Sequence, residues 1–258
     1  MTMLGLFRSK PLLDESSTEW LFNAYAWALR NFGSKVFHED TILVTPTDRH
    51  FPDKSLDTAE QRISAAFERV RVYAGMQGWP CELTALTPGM DPEPPPALFS
   101  ATPRGPQGTV SIQGVKQSIP ITYDLGMIKN PNVLIAAFAQ QLGYHLGRAI
   151  GEGAPGGEEL RGPAADLLAV FMGFGLFLAN SALTVCRSGC SGCASVQALG
   201  YLTEAEFVYA LAIFCVLKDI QNAEVEPHLK KTLRPFFKQA VKEIKKTRGD
   251  DILRLKAL

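Results

Sequence analysis

Residues 167–185 include no charged side chain in 19 positions, and this run limits the fold more than any other stretch. A helix of that length is about long enough to cross a bilayer. However, Asn180, Ser181 and Thr184 interrupt its apolar character, and no basic cluster flanks it as an anchor. The centre of a helical domain also requires a helix that is apolar on every side. The run therefore predicts a buried core helix.

Composition sets the broad class of the protein. A chain of 258 residues with 46% hydrophobic content can bury a substantial core. Its 26 basic and 26 acidic residues balance, so no nucleic acid or membrane partner is expected. The first residues lack the pattern of a secretory signal, and five cysteines do not make a paired disulfide set. We expect a bacterial-type cytoplasmic protein.

The first half of the chain predicts a small unit of helices and strands. Ser16 to Thr18 and Thr58 are helix caps, and β-branched or alternating runs indicate strands. The predicted elements are a helix over 16–32, a strand at 41–45, a helix from 57 or 58 to before 78, a strand at 81–86, a proline-rich covering segment at 87–107, and a hairpin of 108–113 with 118–123.

The second half predicts helices. Asn130 is a good N-cap and Pro131 a favoured first helical residue. Pro163 predicts the start of the next helix, with Gly162 as its cap. The predicted elements are helices over 130–150, from 163 through the apolar run, over 207–218 after a capping box at 203–206, and over 227–246, with a loop at 186–200.

These elements predict an α+β, mostly helical fold. A small N-terminal helix and strand unit with a few-stranded sheet, residues 1–125, packs on a helical portion, residues 126–258. We expect the two portions to form one continuous globular unit.

Residues 134–146, LIAAFAQQLGYHL, resemble the active-site helix of the zincin metallopeptidases. That family carries H-E-x-x-H, in which two histidines bind zinc and the glutamate polarises water. The matching positions here are Gln140, Gln141 and Tyr144. In the glutamate-ligand branch a second helix carries E-x-x-x-D, and its positions fall on Gly162 and Asp166. The resemblance implies a zincin-like helical core.

The departures from that pattern imply a site without metal. Neutral amides at 140 and 141 supply neither a zinc ligand nor a general base, and Gly162 has no side chain. Asp166 alone survives, and in the family it orients a ligand histidine rather than binding the metal. His145 lies one residue out of register. No catalytic residue and no cofactor is expected at this pseudo-site.

The most distinctive short motif in the chain is the spacing of Cys186, Cys190 and Cys193. Three thiolates with a fourth ligand, such as Cys81, Cys215 or His228, could bind a structural zinc ion or an iron–sulfur cluster. The same residues also suit a loop of small side chains with no metal. The alternative function is therefore a metal-binding or redox protein that uses this loop.

The sequence thus predicts a non-catalytic domain with a binding or scaffolding role and an unknown protein or peptide partner. A surviving hydrolase would need a convergent acid–base pair, and the residues near the pseudo-site that could form one are His145, Glu158, Glu159 and Asp166.

Overall fold

A computed structural model describes residues 10–52, 57–87, 96–115, 117–187 and 194–258. The helices are α1 (Glu15–Asn31), α2 (Ser34–Glu39), α3 (Ala59–Ala74), α4 (Pro131–Gly147), α5 (Arg161–Ala169), α6 (Gly175–Ser181), α7 (Glu204–Leu217), α8 (Asn222–Val225), α9 (Arg234–Thr247) and α10 (Gly249–Lys256). The strands are β1 (Cys81–Ala85), β2 (Ala97–Phe99), β3 (Ser111–Gln113), β4 (Ile119–Tyr123), β5 (Leu183–Arg187) and β6 (Ala194–Ala198). The predicted α+β, mostly helical class is confirmed.

Strand pairing differs from the prediction. β1 pairs with β4 in parallel, from Cys81 opposite Ile119 to Ala85 opposite Tyr123, and β2 pairs with β3 antiparallel. The predicted hairpin of 108–113 with 118–123 is therefore wrong, and the segment at 87–107 contributes β2. Alternation indicates that a segment is a strand, but it does not identify the strand beside it.

The helix pair α4 and α5 forms the centre of the fold. Asn130 caps α4 through its side chain and Pro131 opens it, which confirms that prediction. The two helices approach closely at Gly143, where a Cβ atom would overlap the carbonyl oxygen of Ala165. The second helix begins earlier than predicted, as a short 3₁₀ turn followed by α5 from Arg161. Pro163 is tolerated there because N–H groups in a first turn have no helical partner.

A π-helical segment, Val170–Phe174, kinks the apolar run between α5 and α6. Gly173 has a φ of 100°, and its carbonyl accepts a hydrogen bond of 3.0 Å from the Val44 N–H. Residues 41–45 are extended against this kink without pairing to a strand, so the strand predicted there is wrong. The π segment explains the bend, since an extra residue in a turn displaces the hydrogen-bond ladder.

The apolar run is buried up to Ala182, apart from the half-buried Asn180, and residues 183–185, predicted as the end of the helix, belong to β5 instead. Glu158–Ser181 is long and apolar enough to cross a membrane by composition alone, yet 89% of its most apolar window lies inside the structure. Its neighbours include α1, α4 and α7, and the buried hydrophobic residues from α1 to α10 form one continuous cluster. These observations support the predicted core helix.

The end of the chain departs from the predicted long helix over 227–246. A 3₁₀ turn at Glu226–His228 is followed by a break, and α9 begins only at Arg234 with Pro235 in its first turn. The segment predicted as a loop at 186–200 instead includes the antiparallel pair β5 and β6. The capping box of Thr203 and Glu206 at the start of α7 is confirmed.

Candidate functional site

Gln140 and Asp166, which the zincin comparison places in one site, contact each other directly. Gln140 on α4 donates from Nε2 to Asp166 Oδ1 on α5 over 2.6 Å. Asp166 is completely buried. In the register of the zincin resemblance, this contact joins the position of a ligand histidine to the position of the aspartate that orients it.

The second oxygen of Asp166 binds the turn that precedes α7. Asp166 Oδ2 accepts hydrogen bonds from the backbone N–H groups of Tyr201, at 2.5 Å, and Leu202, at 2.9 Å. Gly200 has a φ of 99°, and a Cβ there would lie 2.8 Å from the same oxygen. Burial raises the pKa of the Asp166 carboxyl above its ordinary value, because lost hydration outweighs these hydrogen bonds. Asp166 is thus a buried junction of α4, α5 and the turn.

Gly162 lies beneath the ring of Tyr201. A Cβ on Gly162 would be 2.7 Å from two atoms of that ring, so Tyr201 occupies the space that a longer side chain would need. Tyr201 itself is 72% exposed. Sequence reasoning missed Tyr201 and Leu202, since backbone donors and a lone tyrosine carry no recognisable pattern. Glycine before a capping box was the available signal of a tight turn.

Gln141 and His145 face the strand β4. Gln141 accepts from the Thr122 N–H through Oε1 at 2.8 Å and donates to the Thr122 carbonyl through Nε2 at 2.7 Å. The His145 ring hydrogen-bonds the Pro120 main chain, and its buried Nδ1 has no partner in the part of the chain that the structure describes. Proline has no N–H, so the Pro120 carbonyl is the acceptor of this hydrogen bond. Residues four apart on a helix share a face, which explains why Gln141 and His145 both contact β4.

Acid should weaken the fold through His145. Burial lowers the pKa of His145 from 6.5 to about 4, so the unfolded chain takes up a proton before the folded chain does. Stability is therefore lost as the pH falls from 6.5 to about 4. We expect the free energy of unfolding of the wild type to drop by about 2 kcal/mol between pH 7 and 4.5 relative to His145→Gln. Urea unfolding at both pH values measures this difference, and parallel losses in the two proteins would contradict it.

Tyr144 lies apart from the Gln140–Asp166 contact. Its hydroxyl accepts a 3.4 Å hydrogen bond from Arg148, and that guanidinium lies 5.7 Å from the centre of the tyrosine ring. Tyr144 and Arg148 line a cavity of about 310 Å³ between α4, α5 and the glycine-rich segment that joins them. The structure thus brings Gln140 and Asp166 into contact, while Gly162 lies beneath Tyr201 and Tyr144 lines this cavity.

The pseudo-site does not suit zinc. Gln140 is engaged with Asp166, Gln141 is engaged with Thr122, and Gly162 offers no ligand. Both oxygens of Asp166 already accept hydrogen bonds. Among the described residues, no group of three or more His, Cys, Asp and Glu side chains is placed to bind a metal ion.

The residues considered for a surviving hydrolase have separate partners. His145 bonds Pro120, Asp166 bonds the turn before α7, and Glu158 forms an ion pair with Arg161. Glu159 is exposed at the start of the second helical run. These four residues therefore do not form an acid–base pair with one another.

The cysteine hypothesis stays a prediction. Cys186 belongs to the backbone of β5, while Cys190 and Cys193 lie outside the described residues. Of the proposed fourth ligands, Cys215 is buried in α7, where burial raises the pKa of its thiol. Burial also raises the pKa of the Cys81 thiol, to about 12. In the absence of a metal, both thiols therefore stay protonated at neutral pH.

Comparison with known proteins identifies no relative: no protein-family model, no curated protein and no solved structure matches this chain.

Proposed function

We propose that this chain is a non-catalytic, zincin-like domain without a metal site, and that its role is binding or scaffolding. The supporting observation is that side chains of the pseudo-site form hydrogen bonds that join elements of the fold. Gln140 joins α4 to Asp166, and Gln141 joins α4 to both main-chain atoms of Thr122. Side chains that make these contacts stabilise the fold and are not available for water activation or metal binding.

The binding role is supported by the cavity beside the pseudo-site. Tyr201 covers Gly162, so the pseudo-site offers little room for a substrate. The nearby cavity of about 310 Å³ lies within the range typical of small-ligand sites. The proposed partners remain a protein or peptide, with nucleic acid and membrane not expected, and the proposed location is the cytoplasm. The free thiols of Cys81 and Cys215 agree with a reducing compartment.

Metal analysis tests this proposal. Protein purified anaerobically without chelator should contain far less than one equivalent of zinc or iron, as measured by plasma mass spectrometry. One equivalent that is lost in Cys190→Ser would replace the proposal with the cysteine-loop alternative. One equivalent that is lost in His145→Ala instead would place a metal on α4 and require an assay for peptide hydrolysis.

A second metal-binding experiment tests the zincin resemblance. A variant with Gln140→His, Tyr144→His and Gly162→Glu restores the three metal ligands of that family, and Tyr201→Ala removes the ring above position 162. We expect it to bind about one equivalent of zinc. The matched control lacks only Gly162→Glu and should bind zinc more weakly. Equal binding by both would count against the resemblance.

A further inference from the structure

The cavity between α4, α5 and the glycine-rich segment contains one arginine without an acidic partner. Arg148 contacts Tyr144, and no carboxylate of the described residues forms an ion pair with it. The second arginine at the cavity, Arg161, is paired with Glu158. The lining therefore has a net charge of one positive unit, located at Arg148.

Apolar side chains form part of the remaining wall, beside the main chain of several glycines. Trp27, Ile150, Ala154 and Leu168 line the cavity together with the Tyr144 ring. Apolar walls with a few placed polar groups are typical of sites for small organic molecules. Such walls favour a ligand with a flat or aliphatic body that ends in a charged group.

Helix α1 fixes the glycine-rich segment that closes the cavity. Trp20 Nε1 donates to the Pro155 carbonyl at 2.9 Å, and Trp27 Nε1 donates to the Glu152 carbonyl at 3.3 Å. Asn31 donates to the Glu152 carboxylate at 2.9 Å. These three contacts preform the wall, which reduces the ordering that a ligand would have to induce.

The local charge favours a monoanion over a phosphate. Glu158 and Glu159 occupy the first turn of the helical run that starts beside the cavity, where they oppose a second negative charge. The Gly157 N–H already bonds the Ala154 carbonyl. A planar guanidinium matches a carboxylate through two parallel hydrogen bonds.

We propose that this cavity binds a small organic monocarboxylate, with the carboxylate on Arg148 and the apolar body against Trp27 and Leu168. The proposal adds a small-molecule ligand to the protein or peptide partner proposed above. It rests on the binding role alone, because it does not depend on the metal content of the protein. Failure of one can therefore be distinguished from failure of the other.

Titration of the full-length protein with benzoate, and with its neutral counterpart benzamide, tests the site. The chemical shifts of the backbone amides report the binding. We expect benzoate to shift the amides of Gly151 and Gly153 and to bind at least 10-fold more tightly than benzamide. Arg148→Gln should weaken benzoate binding about 10- to 100-fold. Arg254→Gln, an exposed arginine outside the cavity, is the matched control and should leave the affinity unchanged.

A second variant tests the same cavity in case Arg148→Gln does not fold. A Cβ at Gly153 meets no atom within 4 Å, so Gly153→Leu adds volume at a lining position from a Cβ that lies in open space. It should reduce benzoate affinity while the thermal unfolding temperature stays close to that of the wild type. Equal affinities for benzoate and benzamide, shifts confined to other regions, or no benzoate binding at millimolar concentration would overturn the proposal.

Discussion

Gly173→Val should destabilise the protein by about 4 kcal/mol, a large part of the roughly 5–15 kcal/mol by which native proteins are stable. Gly173 has a φ of 100°, a conformation that side chains other than glycine rarely adopt. Its missing Cβ also leaves room for the carbonyl oxygen of Ile42, which a side chain would overlap. The two effects add because one is backbone strain and the other is a steric clash.

Urea unfolding measures the loss, and Gly153→Ala is the matched control. Gly153 has no neighbour within 4 Å of a Cβ, so its substitution should change the free energy of unfolding by about 0.5 kcal/mol or less. A Gly173→Val protein of wild-type stability would mean that the π-helical kink relaxes, and that Val44 does not depend on it for its hydrogen bond.

Asp166→Ala should cost about 3 kcal/mol. The substitution removes the acceptor of the Tyr201 and Leu202 N–H groups and of the Gln140 amide in a fully buried place. Asp166→Asn should cost less, about 1 kcal/mol, because an amide oxygen still accepts and Gln140 can rotate.

The pH dependence of the Asp166→Asn effect provides a separate check. The folded-state pKa of Asp166 is raised above 3.8, so its stabilising contribution is complete below pH 3.8 and declines as the pH rises through the folded value. The cost of Asp166→Asn, measured by urea unfolding, should therefore be larger at pH 3.5 than at pH 7. A cost that grows with pH would indicate a pKa lowered by the three hydrogen bonds.

Local signals in the sequence predicted the starts of α4 and α7 correctly, whereas the cap predicted at Ser16 to Thr18 is wrong, because Asp14 caps α1. Asn130 with Pro131, and Thr203 with Glu206, satisfy the first N–H groups of their helices within a few residues. The partners of β4 were not predictable in this way, because β1 lies more than 30 positions earlier and pairs in parallel. The kink at Gly173 depends on the Val44 segment, which is equally remote.

The candidate site, like the fold, was predictable only in part. The zincin resemblance placed Gln140 and Asp166 in one site, and the structure shows these two side chains in contact. Their actual partners did not follow, since the Tyr201 and Leu202 groups that bind Asp166 are backbone N–H groups, which every residue except proline carries. The cavity at Arg148 also needed the fold, because Trp27 reaches it from α1.

The attachment of Gln141 to Thr122 has a consequence for self-association. An exposed strand edge offers its N–H and C=O groups to the strands of other molecules, which promotes aggregation. β4 is bonded to β1 on one side, and on the other side the Gln141 amide occupies both main-chain groups of Thr122, as a neighbouring strand would. One glutamine side chain thus closes this edge at its centre, and β4 is protected from intermolecular pairing without a third strand.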